Sequence, residues 1–485
     1  MIGITSYGAY IPRLRLDRKA IFKNIGWFNP GIISAAQGER SLCNWDEDSV
    51  TMAVGAAMNS LKGLNKQNIE GCYLASTTLP FADRQNAGIM ATALSLGEGL
   101  VTSDFTSSQS AGTTALITAL DGIRGGKKSI LVAASDKRLA KPASMQEMYF
   151  GDGAAALTVG DEEVIAEFKG AYSVSYDFVD HYRGSSRQFD YGWEERWIRD
   201  EGYSKIIPEA VTGLLKKLGL TMGEIDRMIY PCYFKAIHMK LAKSLGAKPD
   251  ALVDNMHEIC GETGTAHPLL MLASVLENAA PGQKIIVAGF GQGCDALCFE
   301  VTDKIGQFKP VSSIGETIEE KLTTDNYTQF LSFQGLLDLD LGIRAEANTQ
   351  TALTTLWRNR KMILGLIGGK CRDCGTPQFP KQDICVKPEC NHVHSQDDYS
   401  FTHIPAKVKT FTGDMLAASP SPPTIYGLVQ FEGGGRMLSE FTDCDMQDMK
   451  VGNPVKMSFR RRLMDKGRGF SGYFWKAVPQ GNGAN

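Results

Sequence analysis

Four cysteines in the last third of the chain carry its most specific chemical signal. They follow the spacing C-x2-C-x10-C-x4-C and are Cys371, Cys374, Cys385 and Cys390. Two pairs at such spacing place four thiolates tetrahedrally around a zinc ion. His392 and His394 lie close enough in sequence to replace Cys390 as a ligand. Because four thiolates leave zinc no open position for water, we expect a structural zinc site.

Two glycine-rich runs follow apolar runs that are typical of buried strands. Gly151-Asp-Gly-Ala-Ala-Ala156 comes after Ser129-Ile-Leu-Val-Ala-Ala-Ser135, and Gly289-Phe-Gly-Gln-Gly293 continues Lys284-Ile-Ile-Val-Ala-Gly289. Alternate glycines let the backbone approach another group closely. The two runs therefore predict a binding site framed by two strand ends.

The order and spacing of these runs resemble the thiolase superfamily, in particular the branch that holds hydroxymethylglutaryl-CoA synthase and ketoacyl synthase III. Further matching runs are Gly8-Ala-Tyr-Ile-Pro12, Asp46-Glu-Asp-Ser-Val-Thr-Met-Ala53 and Gly112-Thr-Thr-Ala-Leu116. The resemblance covers roughly the first 305 residues, and short runs gain weight from their shared order. It implies an α/β protein with the duplicated thiolase fold, five layers in the order αβαβα, that acts on an acyl-CoA.

The remainder of the chain predicts a different architecture. Helical periodicity with charged faces over Glu316 to Arg360 predicts two connecting helices before the cysteines. After the cysteines, short strands alternate with turns, which favours a small five-stranded barrel. The predicted strands are Ala406–Phe411, Ile425–Phe431, Met437–Phe441, Val455–Arg460 and Tyr473–Ala477. A helical hairpin, zinc ribbon and OB-fold barrel resemble the accessory proteins that partner acyl-CoA thiolases and synthases, which implies a fused accessory unit contacting CoA thioesters.

Composition and length are consistent with this multidomain organisation. The predicted boundaries are 1–160 and 161–305 for the two thiolase-fold halves, 306–368 for the connecting helices, 369–397 for the zinc ribbon and 398–485 for the OB-fold domain. A hydrophobic content of 43% supports a large core, and a net charge of -3 gives no long-range reason to bind nucleic acid. Without a long apolar run or a basic leader followed by an apolar segment, we expect a cytoplasmic protein and no membrane partner.

The resemblance implies a reactive cysteine at the start of a buried helix, where the helix dipole favours the thiolate. The family pattern places this cysteine four residues before a threonine, and counting back from Thr113 gives Gln109. Ser110 is adjacent, but a hydroxyl nucleophile needs a base within hydrogen-bond reach. We therefore favour a helix-capping role for Ser110.

The other catalytic positions implied by the resemblance are also replaced. Alignment through Pro231 puts Cys232 in the place of the family histidine, and the asparagine or histidine position becomes Glu262. The acidic group expected near Thr77 is not found. His267 either enters the same cavity or is a satisfied core histidine, and the sequence favours neither reading.

These replacements exclude an acyl-cysteine mechanism but not carbon–carbon chemistry on a CoA thioester. An enolate needs a base and donors to its oxygen, whereas a covalent acyl group is needed only for Claisen-type transfer. Glu262 is the predicted base, on the condition that burial raises its pKa. Gln109 and the Gly291 to Gly293 loop are the predicted donors. The resemblance permits aldol, retro-aldol or decarboxylation chemistry.

Several cationic residues are candidates for binding CoA. Lys235 follows the strand that ends near Pro231, and Arg460 and Arg461 begin a basic run that continues to Lys466 and Arg468. These side chains either meet CoA phosphates or form a solvated strand end, and the second reading is favoured for the run.

Tyr172 to Tyr203 is unusually aromatic and charged, including Asp180-His-Tyr-Arg183 and Tyr191-Gly-Trp-Glu-Glu-Arg-Trp197. The segment either caps the acyl pocket or lies at a homodimer interface, because thiolase-fold proteins commonly pair.

Two functions remain open. The first is an enzyme that forms or cleaves a carbon–carbon bond of a CoA thioester, which the persistence of the glycine loops favours. The second is a non-catalytic scaffold that delivers acyl-CoA to a partner thiolase in a hetero-complex. Fold alone does not decide between them.

Overall fold

The structure is a computed structural model that describes residues 1–346, 352–465 and 467–480. The chain divides into two compact units. The first contains Met1–Cys43, Asp48–Met90 and Gly97–Phe330, and the second contains Asn44–Glu47, Ala91–Leu96 and Leu331–Asn485. Within the described residues, no helix combines the length and the apolar composition required to cross a membrane.

The strands of the chain are numbered in order. They are β1 (Gly3–Tyr10), β2 (Leu14–Asp17), β3 (Glu39–Leu42), β4 (Gly71–Ala75), β5 (Val101–Phe105), β6 (Ser129–Asp136), β7 (Gly153–Gly160), β8 (Ala166–Ser175), β9 (His181–Tyr182), β10 (Tyr191–Gly192), β11 (Arg227–Ile229), β12 (Lys284–Phe290), β13 (Gly293–Val301), β14 (Leu322–Thr324), β15 (Ile367–Cys371), β16 (Pro377–Gln378), β17 (Gln396–Ser400), β18 (Ala406–Asp414), β19 (Thr424–Phe431), β20 (Arg436–Glu440), β21 (Pro454–Asp465) and β22 (Phe470–Pro479).

The helices are numbered in the same way. They are α1 (Arg18–Ile25), α2 (Ser49–Ser60), α3 (Asn86–Ala93), α4 (Ala111–Arg124), α5 (Met145–Tyr149), α6 (Glu195–Trp197), α7 (Ile207–Leu218), α8 (Lys235–Ser244), α9 (His267–Glu277), α10 (Ile314–Glu319), α11 (Tyr327–Phe333), α12 (Leu353–Arg358) and α13 (Arg360–Gly365).

The first unit is built on a mixed sheet with the strand order β11-β12-β13-β8-β1-β7-β6-β4-β5. Strand β1 pairs with β7 along its whole length but meets β8 only at Gly3 and Ile4. The sheet therefore consists of two halves joined by a short ladder. Each half comes from one part of the sequence, which is the duplication that the resemblance implies.

Helices form three layers around these two half-sheets. Helix α2 packs on β1, β6 and β7, while α7 packs on β8, β12 and β13. Helices α4 and α9 contact each other and strands of both halves. Their buried apolar side chains join those of the strands in one core. The predicted five-layer αβαβα thiolase fold is confirmed.

Local sequence determines where the outer helices begin and end. Asp48 caps α2, since its carboxylate accepts hydrogen bonds from the backbone N–H groups of Val50 and Thr51. Helix α7 ends at Gly219, which has a φ of 68° and so adopts the left-handed conformation that favours glycine.

Two helix predictions needed correction. The helix predicted from Tyr203 begins as a π-helix over Ile198–Ile206 and becomes α-helical only in α7. Pro208 lies in the first turn of α7, where its fixed φ and missing N–H are tolerated. Where two connecting helices were predicted, the described residues form four short helices, α10 to α13, together with β14. The predicted region also includes residues 347–351, which lie outside the described residues.

The second unit contains two antiparallel sheets. Strands β16-β15-β17 form the ribbon around the four cysteines, and β20-β19-β18-β21-β22 form a five-stranded sheet. This sheet curls, because the N–H of Thr442 after β20 donates to the carbonyl of Ala477 in β22 at 3.0 Å. All five predicted strands are present, and the predicted OB-like barrel is confirmed.

Candidate active site

A cavity of about 850 Å³, including its open mouth, lies in the first unit. Polar, charged and aromatic side chains surround it. The lining residues are Gln109, Arg138, Met145, Gln146, Tyr149, Phe150, Asp180, His181, Asp190, Gly192, Trp193, Glu195, Ile198, Tyr203, Pro231, Tyr233, Glu262, Gly264, Pro268 and Phe290. No cysteine occurs among these described lining residues. The cavity thus contains two predicted site residues, Gln109 and Glu262.

Gln109 lies just before α4, at the position where the resemblance implies a nucleophile. Its amide Nε2 is 3.4 Å from Thr77 Oγ1 and 3.5 Å from His181 Nε2. Its Oε1 is buried and has no hydrogen-bond partner among the described residues. An unpaired buried amide oxygen costs free energy, so the side chain is ready to bond a group that enters the cavity.

Glu262 reaches the cavity from a loop whose backbone is tied to the first half-sheet. Its N–H donates to Tyr149 O at 2.8 Å, and its carbonyl accepts from Gly151 N at 2.9 Å. The carboxylate accepts a hydrogen bond from Gly264 N at 3.0 Å and lies 2.8 Å from the Arg138 guanidinium. The side chain is 13% exposed. These contacts leave carboxylate lone pairs available to a ligand.

Arg138 joins Glu262 to Asp190 across the cavity wall. Its guanidinium lies 3.0 Å from Asp190 and stacks 3.7 Å from the ring centroid of Phe150. Although burial lowers the pKa of Arg138, the charges of Asp190 and Glu262 raise it more, and the net pKa is raised. The guanidinium therefore stays charged and holds both carboxylates in place.

The segment predicted either to cap the pocket or to form a dimer interface contributes eight of the lining residues. They are Asp180, His181, Asp190, Gly192, Trp193, Glu195, Ile198 and Tyr203. Strands β9 and β10 pair antiparallel as a hairpin within this segment. His181 Nδ1 lies 2.8 Å from Asp180 Oδ2, and both side chains are partly buried. The capping interpretation is consistent with this placement.

Aromatic rings form much of the remaining wall. Tyr203 stacks on Phe290 with 4.7 Å between centroids, and Tyr149 stacks on Tyr233 at 5.0 Å. Burial raises the pKa of Tyr203 and of Tyr233, so both phenols remain protonated and can donate hydrogen bonds. The wall suits an apolar group and offers donors to an oxygen.

Three other predicted catalytic residues do not line the cavity, namely Ser110, Cys232 and His267. Ser110 stands at the N-cap of α4 without a capping hydrogen bond, because its hydroxyl lies 3.2 Å from the Gly291 carbonyl that accepts from it. Cys232 is fully buried, its thiol contacts Phe234 O at 3.6 Å, and burial raises its pKa to about 12. Neither side chain is an activated nucleophile.

His267 is the satisfied core histidine of the two alternatives. Its Nδ1 accepts from Thr263 N at 3.0 Å, and its Nε2 lies 2.7 Å from the Asn255 carbonyl that it donates to. Burial lowers its pKa, which keeps the ring neutral. Both ring nitrogens are thus engaged away from the cavity.

The glycines of the two runs allow neighbouring backbone segments to approach closely. A Cβ on Gly151 would lie 1.8 Å from Cys260 O, and one on Gly291 would lie 2.6 Å from Ser110 N. Glycine at these positions lets the Glu262 loop and the start of α4 pass closely. Neither Gly291 nor Gly293 lines the cavity, and Gly291 N donates to Gly293 O at 3.0 Å. Gly291 N is therefore already bonded within the loop, and donation from this loop to a thioester oxygen stays a prediction.

The cationic candidates for CoA differ in exposure. Lys235 is 77% exposed and its ammonium lies 2.9 Å from Glu258. Arg460 is 1% exposed and paired with Asp46, Glu47 and Asp443 inside the second unit. Its guanidinium is therefore enclosed by carboxylates and does not present itself to a phosphate.

Arg461 is half-buried, and its guanidinium donates to the Trp45 carbonyl. Arg468 pairs with Asp465 at 2.6 Å. Lys466 lies outside the described residues. The prediction of a solvated strand end thus holds for part of this run. Arg460 differs, because its charge is buried and paired.

The four cysteines form a separate site in the second unit. Their Sγ atoms all lie within 4.8 Å of one another, with 3.8 Å between Cys371 and Cys390 and 3.6 Å between Cys374 and Cys385. Thiolates at about 2.3 Å from a tetrahedral zinc are separated by about 3.8 Å, so this donor set fits zinc. His392 is not needed as a ligand and contacts Asp373 at 2.7 Å.

The sequence interpretation missed Arg138 and the pair Asp180 and His181 as individual site residues. The available signal was the Asp-His dipeptide in an aromatic, charged segment. Arg138 is the second residue after β6, at a strand end where side chains of a site are commonly carried.

Three segments of the chain match models of known protein families. Residues 215–301 match the model of the 3-oxoacyl-[acyl-carrier-protein (ACP)] synthase III C terminal. Residues 363–395 match the ChsH2 rubredoxin-like zinc ribbon domain, and residues 399–460 match the ChsH2 C-terminal OB-fold domain. The last two matches confirm the predicted ribbon and barrel.

Two named proteins are similar to more than half of this chain. The hydroxymethylglutaryl-CoA synthase of Caldivirga maquilingensis is 29% identical over 352 residues, covering 70% of this chain and 99% of the relative. That of Methanopyrus kandleri is 28% identical over 337 residues, covering 68% and 96%.

Solved structures show the same fold. An HMG-CoA synthase complexed with CoA has a TM-score of 0.60 at 17% identity and covers 71% of this chain and 92% of its own. The 3-oxoacyl-(acyl carrier protein) synthase III of Pseudomonas aeruginosa PAO1 has a TM-score of 0.56 at 20% identity, covering 62% and 98%. The predicted resemblance is confirmed: a thiolase-like domain is fused to a zinc ribbon and an OB-fold domain of ChsH2 type.

Proposed function

We propose that this fusion of a thiolase-like domain with a zinc ribbon and an OB-fold domain forms or cleaves a carbon–carbon bond of a CoA thioester without an acyl-cysteine intermediate. The curated relatives are named hydroxymethylglutaryl-CoA synthases, and a structure of the same fold is described as complexed with CoA. These likenesses support acyl-CoA as the substrate class.

One observation carries the mechanism: Gln109 stands at the expected nucleophile position in a cavity whose described lining has no cysteine. The nearby candidate thiol, Cys232, is buried and held protonated by its raised pKa. Chemistry through an enolate avoids the need for a thiolate, because the thioester stays on CoA throughout.

Glu262 is the proposed base for the α-carbon of the thioester. Arg138 and Gly264 N orient its carboxylate within the cavity, and an oriented carboxylate is an effective base for an adjacent C–H. The enolate oxygen that results needs hydrogen-bond donors. The amide of Gln109 and the neutral phenols of Tyr203 and Tyr233 are the proposed donors.

The remaining assignments are part of the same proposal. Lys235 is the proposed contact for CoA phosphates, since it is exposed close to cavity residues Pro231 and Tyr233 in sequence. The cysteine cluster holds one structural zinc. We further propose a homodimer through the thiolase-like unit, as expected for a thiolase fold.

The proposal is tested with purified protein and a panel of acyl-CoA thioesters, with and without a ketone or aldehyde, and with and without a candidate thiolase. Mass spectrometry follows carbon–carbon bond change, and incubation in D2O follows exchange at the α-carbon. We expect both from the protein alone. Glu262→Gln should lower both by about 10²-fold or more while leaving CoA binding within about twofold.

Glu209→Gln is the matched control, because Glu209 is exposed outside this cavity and contacts Tyr176. It should behave as the unaltered protein. Bond change that requires the added thiolase and is unaffected by Glu262→Gln would contradict the proposal and establish the scaffold function.

A further inference from the structure

The hairpin of β9 and β10 places a histidine and an aspartate opposite the Glu262 loop. His181 lines the cavity, and its Nδ1 lies 2.8 Å from Asp180 Oδ2. The other ring nitrogen, Nε2, faces the amide of Gln109 at 3.5 Å. A carboxylate on Nδ1 orients an imidazole and stabilises its protonated form, which leaves Nε2 to exchange protons with a ligand.

Charged residues connect the hairpin that carries Asp180 and His181 with the loop that carries Glu262. Asp190 on the hairpin lies 2.8 Å from Arg183 and 3.0 Å from Arg138. Arg138 in turn holds Glu262 at 2.8 Å. One guanidinium therefore connects the hairpin that carries His181 with the loop that carries Glu262, and both groups face one cavity.

The contact between Asp180 and His181 is largely buried. The side chains of Asp180 and His181 are 13% and 23% exposed. Asp180 Oδ1 and Gln109 Oε1 are buried and have no hydrogen-bond partner among the described residues. Both oxygens belong to side chains that contact His181, and each can accept a hydrogen bond from a substrate hydroxyl.

We propose that His181 is the catalytic group that transfers a proton to or from the β-oxygen of the substrate, and that Asp180 is its positioning residue. This inference rests on the proposed function, to which it adds the second proton carrier. In it, Glu262 serves the α-carbon and His181 serves the β-oxygen.

The step balances in the direction of addition. The Glu262 carboxylate removes a proton from the α-carbon, and the C–H electron pair forms the thioester enolate. The enolate carbon attacks the carbonyl carbon of a ketone or aldehyde, forming the new carbon–carbon bond. The carbonyl π pair moves to oxygen, which takes the proton from His181 Nε2. Cleavage follows the same path in reverse, with His181 accepting the β-hydroxyl proton.

Two readouts on the same protein separate the two proton carriers. Exchange of the α-proton in D2O needs Glu262 but not the β-oxygen, whereas bond formation or cleavage needs both. We expect His181→Asn to lower bond change by about 10²-fold or more and to leave α-exchange within about twofold. Asp180→Asn should lower kcat for bond change with an unaltered KM and unaltered α-exchange.

Tyr182→Phe is the control on the same hairpin, because Tyr182 is 52% exposed and its ring packs on Tyr191. It should retain both activities. Unchanged bond formation in His181→Asn, or equal loss of both activities in that variant, would overturn the role of His181. Absence of α-exchange and bond change in the unaltered protein would instead overturn the proposed function itself.

Discussion

Gln109 and Cys232 define the chemistry at the scale of single residues. Gln109 cannot form an acyl thioester, and Cys232 lies in the core with its thiol directed to Phe234 O. A thiol whose pKa is raised to about 12 has almost no thiolate near neutral pH. Reaction through a covalent acyl group is therefore not expected.

This expectation is tested by quenching the protein in acid during turnover of an acyl-CoA and measuring its intact mass. The mass should be unchanged, because no side chain takes the acyl group. An added acyl mass located at Cys232 or Ser110 would contradict the cysteine-free mechanism. A thiolase-fold protein with a reactive cysteine, treated identically, provides the positive control.

Residue types at motif positions could be predicted from the sequence, whereas their partners could not. Gln109 and Glu262 lie in the cavity as predicted, because both are set by local alignment to strand ends and glycine runs. Arg138 was missed since its role comes from contacts with Asp190 and Glu262, 52 and 124 residues away in sequence. The sequence could not decide whether His267 lies in the cavity or in the core. Tertiary packing determines which groups the two ring nitrogens of a buried histidine contact.

At the scale of elements, the β9–β10 hairpin depends on Asp190. Its side chain is 5% exposed and paired with Arg138 and Arg183. Burial alone would raise the pKa of Asp190, but the charges of Arg138, His181 and Arg183 lower it overall. A carboxyl with a lowered folded pKa contributes stability above its ordinary value, and this contribution is lost as pH falls through the folded pKa.

We expect Asp190→Asn to lower the free energy of unfolding by about 3 to 5 kcal/mol at neutral pH, because it leaves two arginines short of a buried partner. Below about pH 4 the variant should lose less further stability than the unaltered protein. Urea denaturation at several pH values measures both. Asp200→Asn, which removes a half-exposed partner of Arg199, should leave the denaturation midpoint nearly unchanged. An equal loss of unfolding free energy in the two variants would contradict the proposal that Asp190 stabilises the β9–β10 hairpin.

Elements with strong periodicity were predictable and irregular ones were not. The five strands of the OB-like sheet follow alternating burial, as in β19, where every second residue is buried. The π-helix over Ile198–Ile206 has no sequence pattern of its own. Between α10 and α13 the charged periodicity predicted longer helices than the described residues form.

At the scale of the whole molecule, the cysteine cluster predicts one zinc per chain. Structural zinc contributes about 10 kcal/mol or more in small domains, so the ribbon needs its metal to fold. Elemental analysis of the purified protein should find one zinc, and Cys374→Ser should lose it. Cys444→Ser, which alters a cysteine outside the cluster, should keep it. A zinc-free protein with an ordered ribbon would contradict this prediction.

The charges that line the cavity lead to a prediction about which acyl groups bind there. Four of the described lining residues carry carboxylates, Asp180, Asp190, Glu195 and Glu262, and Arg138 is the one guanidinium among them. Arg138 is shared by Glu262 and Asp190, and Asp190 also pairs with Arg183 outside the lining. An acyl chain that ends in a free carboxylate would meet like charge in a partly desolvated space. Hydroxymethylglutaryl-CoA has such an end, and 3-hydroxy-3-methylpentanoyl-CoA has the same skeleton with a methyl in its place.

We therefore expect the neutral thioester to bind at least about tenfold more tightly than hydroxymethylglutaryl-CoA, measured by calorimetry with the His181→Asn protein, which keeps all four carboxylates while its bond-changing activity is lowered. Equal affinities would contradict this electrostatic discrimination. We thus expect the cavity to prefer monocarboxylic acyl groups over dicarboxylic ones, although the relatives of this protein are named for hydroxymethylglutaryl-CoA.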